Sequence, residues 1–197
     1  MRAEITVAPT CRSLGLEEVK SHLRLELGFT DEDDLLNAYI DAAQERVEDI
    51  TNKKLLPQIA TVYFDNWPYG NSIELPFYPL RSIATTGIVY SKSTGNSTTF
   101  SSSAWATDTI SEPGRVVLKN SESWPSDALY DNNPIKIRIN CGYASSTAIP
   151  SKIKLAMKLL IGHWYENREA TVPNSVSLVD IPQGVSALLY SERKFTF

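Results

Sequence analysis

Cysteine and histidine are scarce in this chain of 197 residues, two of each, and their scarcity removes whole classes of chemistry. Cys11 and Cys141 stand far apart and in no metal-type spacing, so neither a disulfide framework nor a zinc cage is expected; two thiols in a reducing cytoplasm are the simpler reading. Long apolar runs are missing too. The most apolar helical stretch, IKLAMKLLIGHWY, is broken by Lys154 and Lys158 and falls short of the roughly 20 residues a membrane helix needs. The opening MRAEITVAPT has no apolar core of about 7–15 residues, so no secretory signal is expected. There is no G-x-S-x-G elbow, no G-x-x-x-x-G-K-S/T phosphate loop and no G-x-G-x-x-G turn, which leaves common hydrolase and nucleotide chemistry without a motif. Positive charge is not in excess either. Nineteen Lys and Arg against 23 Asp and Glu give a net charge of -4, a balance unsuited to gripping phosphates.

A hydrophobic content of 42% over this length suffices for a real core. In GLEEVKSHLRLEL, Leu16, Val19, Leu23 and either Leu25 or Leu27 recur at helical spacing, and Glu17 and Glu18 favour the N-terminal end of the dipole; a helix over about 16–25 is expected. A second helix, about 31–52, opens with Thr30 and Asp33 at capping-box spacing and carries the stripe Leu36, Tyr39, Ile40, Ala43, Val47, Ile50. Its other side is acidic, with Asp34, Asp41, Glu45, Glu48 and Asp49. From Leu56 short β-branched and aromatic runs take over: IATVYFDNW, NSIELPF, SIATTGIVYS, GRVVLKN and PIKIRINCGY. Ten serines between Ser91 and Ser126 make that region read as long hairpin loops.

Helix returns at IPSKIKLAMKLLIGHWYENRE, with Pro150 at or just before the first turn and Ile153, Met157, Leu160 or Ile161, and Trp164 in one stripe. A loop over 170–181 leads to a short final helix around Val185, Leu188 and Leu189, then an extended tail from Lys194 to Phe197. The expected fold is α+β: a single domain, 1–197, with a helical core of two N-terminal helices, one long and one short C-terminal helix, and a β-rich insertion over 56–149.

The cluster His163, Trp164, Tyr165, Glu166, Asn167, Arg168, Glu169 invites an enzymatic reading, because His163 and Glu166 stand three apart on one helical face. A metal-dependent hydrolase needs at least a third ligand, and His22 is the only other histidine, so a helix end with Trp164 packed inward is preferred and neither metal nor cofactor is expected. Asp31 to Asp34 are explained by the helix dipole rather than as a catalytic acid pair. Trp105, Trp124 and Tyr130 could form a platform for a sugar, as in a carbohydrate- or receptor-binding module of a tail-associated protein, although aromatics in hairpins more often fill small cores. Charge is unevenly spread: residues 16–54 carry eleven acids and five bases, a balance of -6, and residues 150–197 six bases and four acids, a balance of +2. The two stretches either dock within one subunit or meet between subunits of a head-to-tail ring.

The ordered set SLGLEEVKSHLRL, DEDDLLNAYIDAAQERVEDITNKKLL, IELPFYPLRSI, INCGYASSTAIPSKIKLAMKLLIGHWYENRE and IPQGVSALLYSER resembles the head-tail connector (adaptor) family of long-tailed bacteriophages, including the adaptors of gene transfer agents, from Ser13 to about Arg193. Cys141 departs from the family's small or apolar residue, and the 91–126 region matches only in length and character. The resemblance implies a non-enzymatic virion protein at the head-tail junction, made in the host cytoplasm. It implies a ring, typically of twelve subunits, bound to the portal above and a stopper or tail-completion protein below, through which double-stranded DNA passes without sequence-specific binding. By position it implies portal contact for Glu192, Arg193, Lys194, Phe195, Thr196 and Phe197. Asp41, Glu45, Glu48, Arg168 and Glu169 are the candidates for subunit interface or channel wall, since a conduit for DNA should be neutral or acidic.

Overall fold

The computed structural model describes residues 1–168 and 183–193. It is an α+β chain with two compact units, one formed by residues 1–10 and 56–144, the other by 11–55 together with the described residues of 145–195. Among the described residues no helix is long and apolar enough to cross a membrane.

Among the described residues the first unit holds eight strands. β1 (Arg2–Val7), β2 (Gln58–Phe64), β4 (Leu80–Ser91), β5 (Ser97–Thr99) and β8 (Ile135–Cys141) form an antiparallel sheet in the order β1-β2-β8-β4-β5. A second sheet has the order β3-β7-β6, from β3 (Ser72–Glu74), β6 (Trp105–Asp108) and β7 (Arg115–Leu118). In β8 the alternation expected from PIKIRINC becomes a two-faced strand: Ile135, Ile137, Ile139 and Cys141 are fully buried, while Lys136 and Arg138 are exposed. Burying each of those isoleucines is worth about 1.5–3 kcal/mol, so this one strand accounts for a sizeable part of the unit's cohesion. Facing side chains include Val62, Ile88, Leu75 and Val116.

Three of these strands were not expected from the sequence. β1 pairs with β2 in register Arg2↔Tyr63 to Val7↔Ile59, so the N-terminal residues belong to the sheet. β5 and β6 lie inside the serine-rich stretch expected to be loop. Three- and four-residue strands are too short to show a period, and β6 is held by Trp105, which is 6% exposed in the core. Gly142, just after β8, has φ +91, and its N–H donates to the Pro79 carbonyl at 2.9 Å. A Cβ there would land on the Leu56 carbonyl oxygen, so the glycine of the CGY stretch is required twice over, by dihedral and by space.

The described residues of the second unit form four α-helices, α1 (Leu16–Leu23), α2 (Asp33–Thr51), α3 (Ser151–Glu166) and α4 (Gln183–Tyr190), with a 3-10 turn at Ser146–Ala148 before α3. α1, α2 and α4 all contact α3. Their shared core includes Val19, Leu36, Ile40, Ala43, Val47, Ile153, Met157, Leu160, Ile161, Val185 and Leu189, the stripes expected from helical spacing. α1 stops two residues early because Arg24 adopts a left-handed conformation with φ 58, and the N–H of Leu25 closes on the Lys20 carbonyl at 2.9 Å. α2 is shorter than expected at 19 residues, and the anticipated capping box does not form: Glu32 is the N-cap, with no side-chain cap bond. Asp33 is instead ion-paired with Lys20, a lysine 3% exposed whose ammonium also donates to the carbonyl of Phe29 at 2.7 Å. A buried ammonium must have such partners, and here they pin the α1–α2 loop.

Candidate interaction surfaces

The cluster that closes α3 is a joint with the start of α2. The Tyr165 hydroxyl donates to Glu32 at 2.6 Å, Arg168 donates to the other carboxylate oxygen at 2.6 Å, and the guanidinium lies 4.7 Å from the centre of the Tyr165 ring. The Tyr165 hydrogen bond, and after it the Arg168 one, hold the Glu32 carboxyl below its usual range. Trp164 packs its ring 6.1 Å from that of Tyr39, whose hydroxyl donates to the Trp164 carbonyl at 3.4 Å. Farther along, Lys158 pairs with Glu18 of α1 at 2.7 Å, and this bond is the main reason the Glu18 carboxyl is lowered. The acidic and basic stretches of the sequence thus meet inside one subunit at these two pairs.

His22, His163 and Glu166 line one shallow groove of about 400 Å³ with Leu159 and Val185. Among the described residues no group of three His, Cys, Asp or Glu side chains is placed to hold a metal ion. Asn167 caps the helix end, its amide donating to the His163 carbonyl at 2.9 Å.

The acidic side of α2 differs from expectation at one position. Asp34, Asp41, Glu45 and Asp49 are exposed, but Glu48 is 9% exposed. Its carboxylate accepts the backbone N–H of Leu55 at 2.9 Å and the Lys54 ammonium at 2.8 Å. Glu48 therefore closes the turn after α2 and is not a surface charge. At 100° per residue it lies only about 20° from Asp41 and about 60° from Glu45, on the same side of the helix, and it is buried because the chain that follows folds back over it. Asp41 is bound by Arg12 through two bonds of 2.8 and 3.0 Å.

Of the residues assigned to portal contact, Glu192 pairs with Lys53 at 2.8 Å and Arg193 is exposed. Lys194, Phe195, Thr196 and Phe197 lie outside the described residues, as do Glu169 and the 170–181 loop.

The aromatic platform does not form from the residues proposed for it. Trp105 is in the core, and Trp124 is stacked face to face on Trp67, rings 5.1 Å apart and 9° from parallel, with its indole N–H donating to the Gly70 carbonyl at 2.7 Å. Phe100 and Tyr90 pack on Trp67 at 5.7 and 5.8 Å. These rings fill a small core beneath the loops.

No curated protein matches the chain in sequence. Solved structures match it along its whole length. A chain in the neck of an empty gene transfer agent particle, computed with C6 symmetry, has a TM-score of 0.80 at 24% identity over 100% of this chain and 97% of that one. A chain in the virion of the native particle gives 0.78 at 24%, and one in the native neck, computed with C12 symmetry, 0.77 at 21%, with the same coverage. At these identities the likeness is one of fold. Residues 14–104 match the model of the phage gp6-like head-tail connector protein family. That segment takes in α1, α2 and the strands β2 to β5, and its match to the phage gp6-like head-tail connector model agrees with the resemblance carried by the sequence motifs.

Proposed function

We propose that this protein is a non-enzymatic head-tail connector subunit of a virion, either an infectious phage or a gene transfer agent. It assembles as a ring of twelve copies beneath the portal, extends the DNA channel and joins the capsid to a stopper or tail-completion protein. The observation that carries this reading is the pairing of a connector-family match over residues 14–104 with a full-length fold shared with chains from particle necks of sixfold and twelvefold computed symmetry. The net charge of -4 is in keeping with a conduit that DNA crosses without being held.

Within this reading the segment Glu192 to Phe197 reaches the portal, and its Phe195 and Phe197, two apart, suit strand addition or an apolar groove on that partner. Asp41, Glu45, Arg168 and Glu169 remain candidates for the ring interface or channel wall; Glu48, committed to the Leu55 turn, leaves that set. The whole chain acts as one connector domain in which 56–149 is the β-rich part. A sugar-binding module is disfavoured by the occupied faces of Trp124 and Trp105.

The test is electron microscopy of the protein mixed with its portal, where an added ring at the narrow end is expected. Particles purified from a lysate that lack this polypeptide between capsid vertex and tail would overturn the reading.

A further inference from the structure

The outward face of the five-stranded sheet is basic on an otherwise acidic chain. Lys136 and Arg138 project from β8, two residues and so about 7 Å apart. Register places Lys136 beside Tyr63, with Arg2 on the far side of Tyr63, and Arg138 beside Thr61. Their other neighbours on this face are Thr61 and Val89, with Ile59, Asn140 and Ser82 beyond Arg138. The one acid of the face is Glu4, whose carboxylate takes the Tyr63 hydroxyl at 2.9 Å. Among the described residues, neither Lys136 nor Arg138 has an ion-pair partner.

The exposed side of α2 is its complement. Asp34, Asp41, Glu45 and Asp49 fall within about 80° of arc at 100° per residue, over a rise of about 23 Å. Glu45 and Asp49 also lack an ion-pair partner among the described residues, and being four apart they present carboxylates about 6 Å apart, close to the Lys136 to Arg138 spacing. Ala38 within this arc and Ala42 at its edge are exposed and short, and Arg46 follows one turn after Ala42 on that flank.

We propose that the Lys136/Arg138 face of one copy receives the Glu45/Asp49 stripe of the next, a heterologous contact that propagates head to tail around a ring. The proposal rests on the connector reading and names the surfaces that would join its subunits. Two different patches in contact build a closed ring when the rotation closes, and opposite potentials set which neighbour is accepted. Nucleic acid is the poorer occupant: tight phosphate binding draws on roughly 6–10 cationic contacts, and this face offers Arg2, Lys136 and Arg138 with a carboxylate among them.

Two charge-reversed chains test it in particle-producing cells that lack the native gene. One carries Lys136→Glu with Arg138→Glu, the other Glu45→Lys with Asp49→Lys; all four positions are exposed, and unchanged far-UV circular dichroism and urea midpoints verify folding. Each variant alone sets like charge against like, so its copies per purified particle should fall by about tenfold or more. Expressed together, the two should be restored to the wild-type copy number in equal amounts, because each presents to the other what its own kind lacks. Normal incorporation of either variant alone, or no rescue on mixing, overturns the proposal and leaves the connector reading intact. Absence of the wild-type chain from particles removes the connector reading and this proposal with it. Loss of wild-type binding to double-stranded DNA in the Lys136→Glu, Arg138→Glu chain, with its assembly unaffected, would instead assign the face to nucleic acid and also overturn the proposal.

Discussion

The Tyr165 hydroxyl sits 2.6 Å from a carboxylate oxygen of Glu32, and that bond joins the end of α3 to the start of α2 across 133 residues of sequence. With Arg168 on the second oxygen, the carboxylate is engaged on both sides.

A pH dependence follows from this joint. Glu32 has its carboxyl lowered from 4.5 in the folded state, so the unfolded chain takes up the proton first as pH falls. The contribution of this group is therefore fully present above about 4.5 and is lost as pH drops through the lower folded value. Glu32→Gln should lower the urea midpoint relative to wild type at pH 7, and the gap should close between pH 4.5 and more acid conditions. A gap independent of pH would show that the charge of Glu32 plays no part.

Glu48 and Glu45 lie three apart on α2 but should behave differently. Glu48→Ala strips the partner from the buried Leu55 N–H and should cost about 1–3 kcal/mol in urea unfolding, with Glu48→Gln recovering part of it. Glu45→Ala, at an exposed position, should stay within about 0.5 kcal/mol. Equal effects at the two positions would refute the turn-closing role of Glu48. It also follows that a triple lysine substitution at Asp41, Glu45 and Glu48 reports on folding before it reports on a channel.

Gly142→Ala should destabilise the chain by about 3 kcal/mol or more, read as the shift in urea midpoint, since dihedral strain and collision with the Leu56 carbonyl add. Gly95→Ala is the control: its φ of 86 is equally unfavourable, but nothing lies within 4 Å of the new Cβ, so about 1 kcal/mol is expected. Similar losses at both sites would mean the backbone crossing at Leu56 yields freely.

Arg24 occupies a left-handed position that glycine holds without strain. Arg24→Gly should raise stability by about 0.5–1 kcal/mol, visible as a rise of a few degrees in melting temperature, the loss of strain outweighing the added chain entropy. A fall in melting temperature would show that the Arg24 side chain holds the turn.

By itself, the sequence determined what repeats with a period and what is missing. The stripes Leu36, Ile40, Ala43, Val47 and Ile153, Met157, Leu160 predict their helices because every third or fourth apolar side chain lands on one face, and Ile135, Ile137, Ile139 predict β8 because alternation leaves no other way to bury them. The ordered motifs carried the family resemblance, and the family model matched over residues 14–104. Tertiary structure alone decided pairings between distant residues, which leave no local trace. β1 becomes a strand because β2 offers it an edge, and Trp105 and Trp124 are occupied because Trp67 and the core reach them first. Glu48 is buried although its neighbours Glu45 and Asp49 are exposed, because the chain returns to place the Leu55 N–H against it. A carboxylate's role depends on which donor reaches it, and that is set by where the backbone goes.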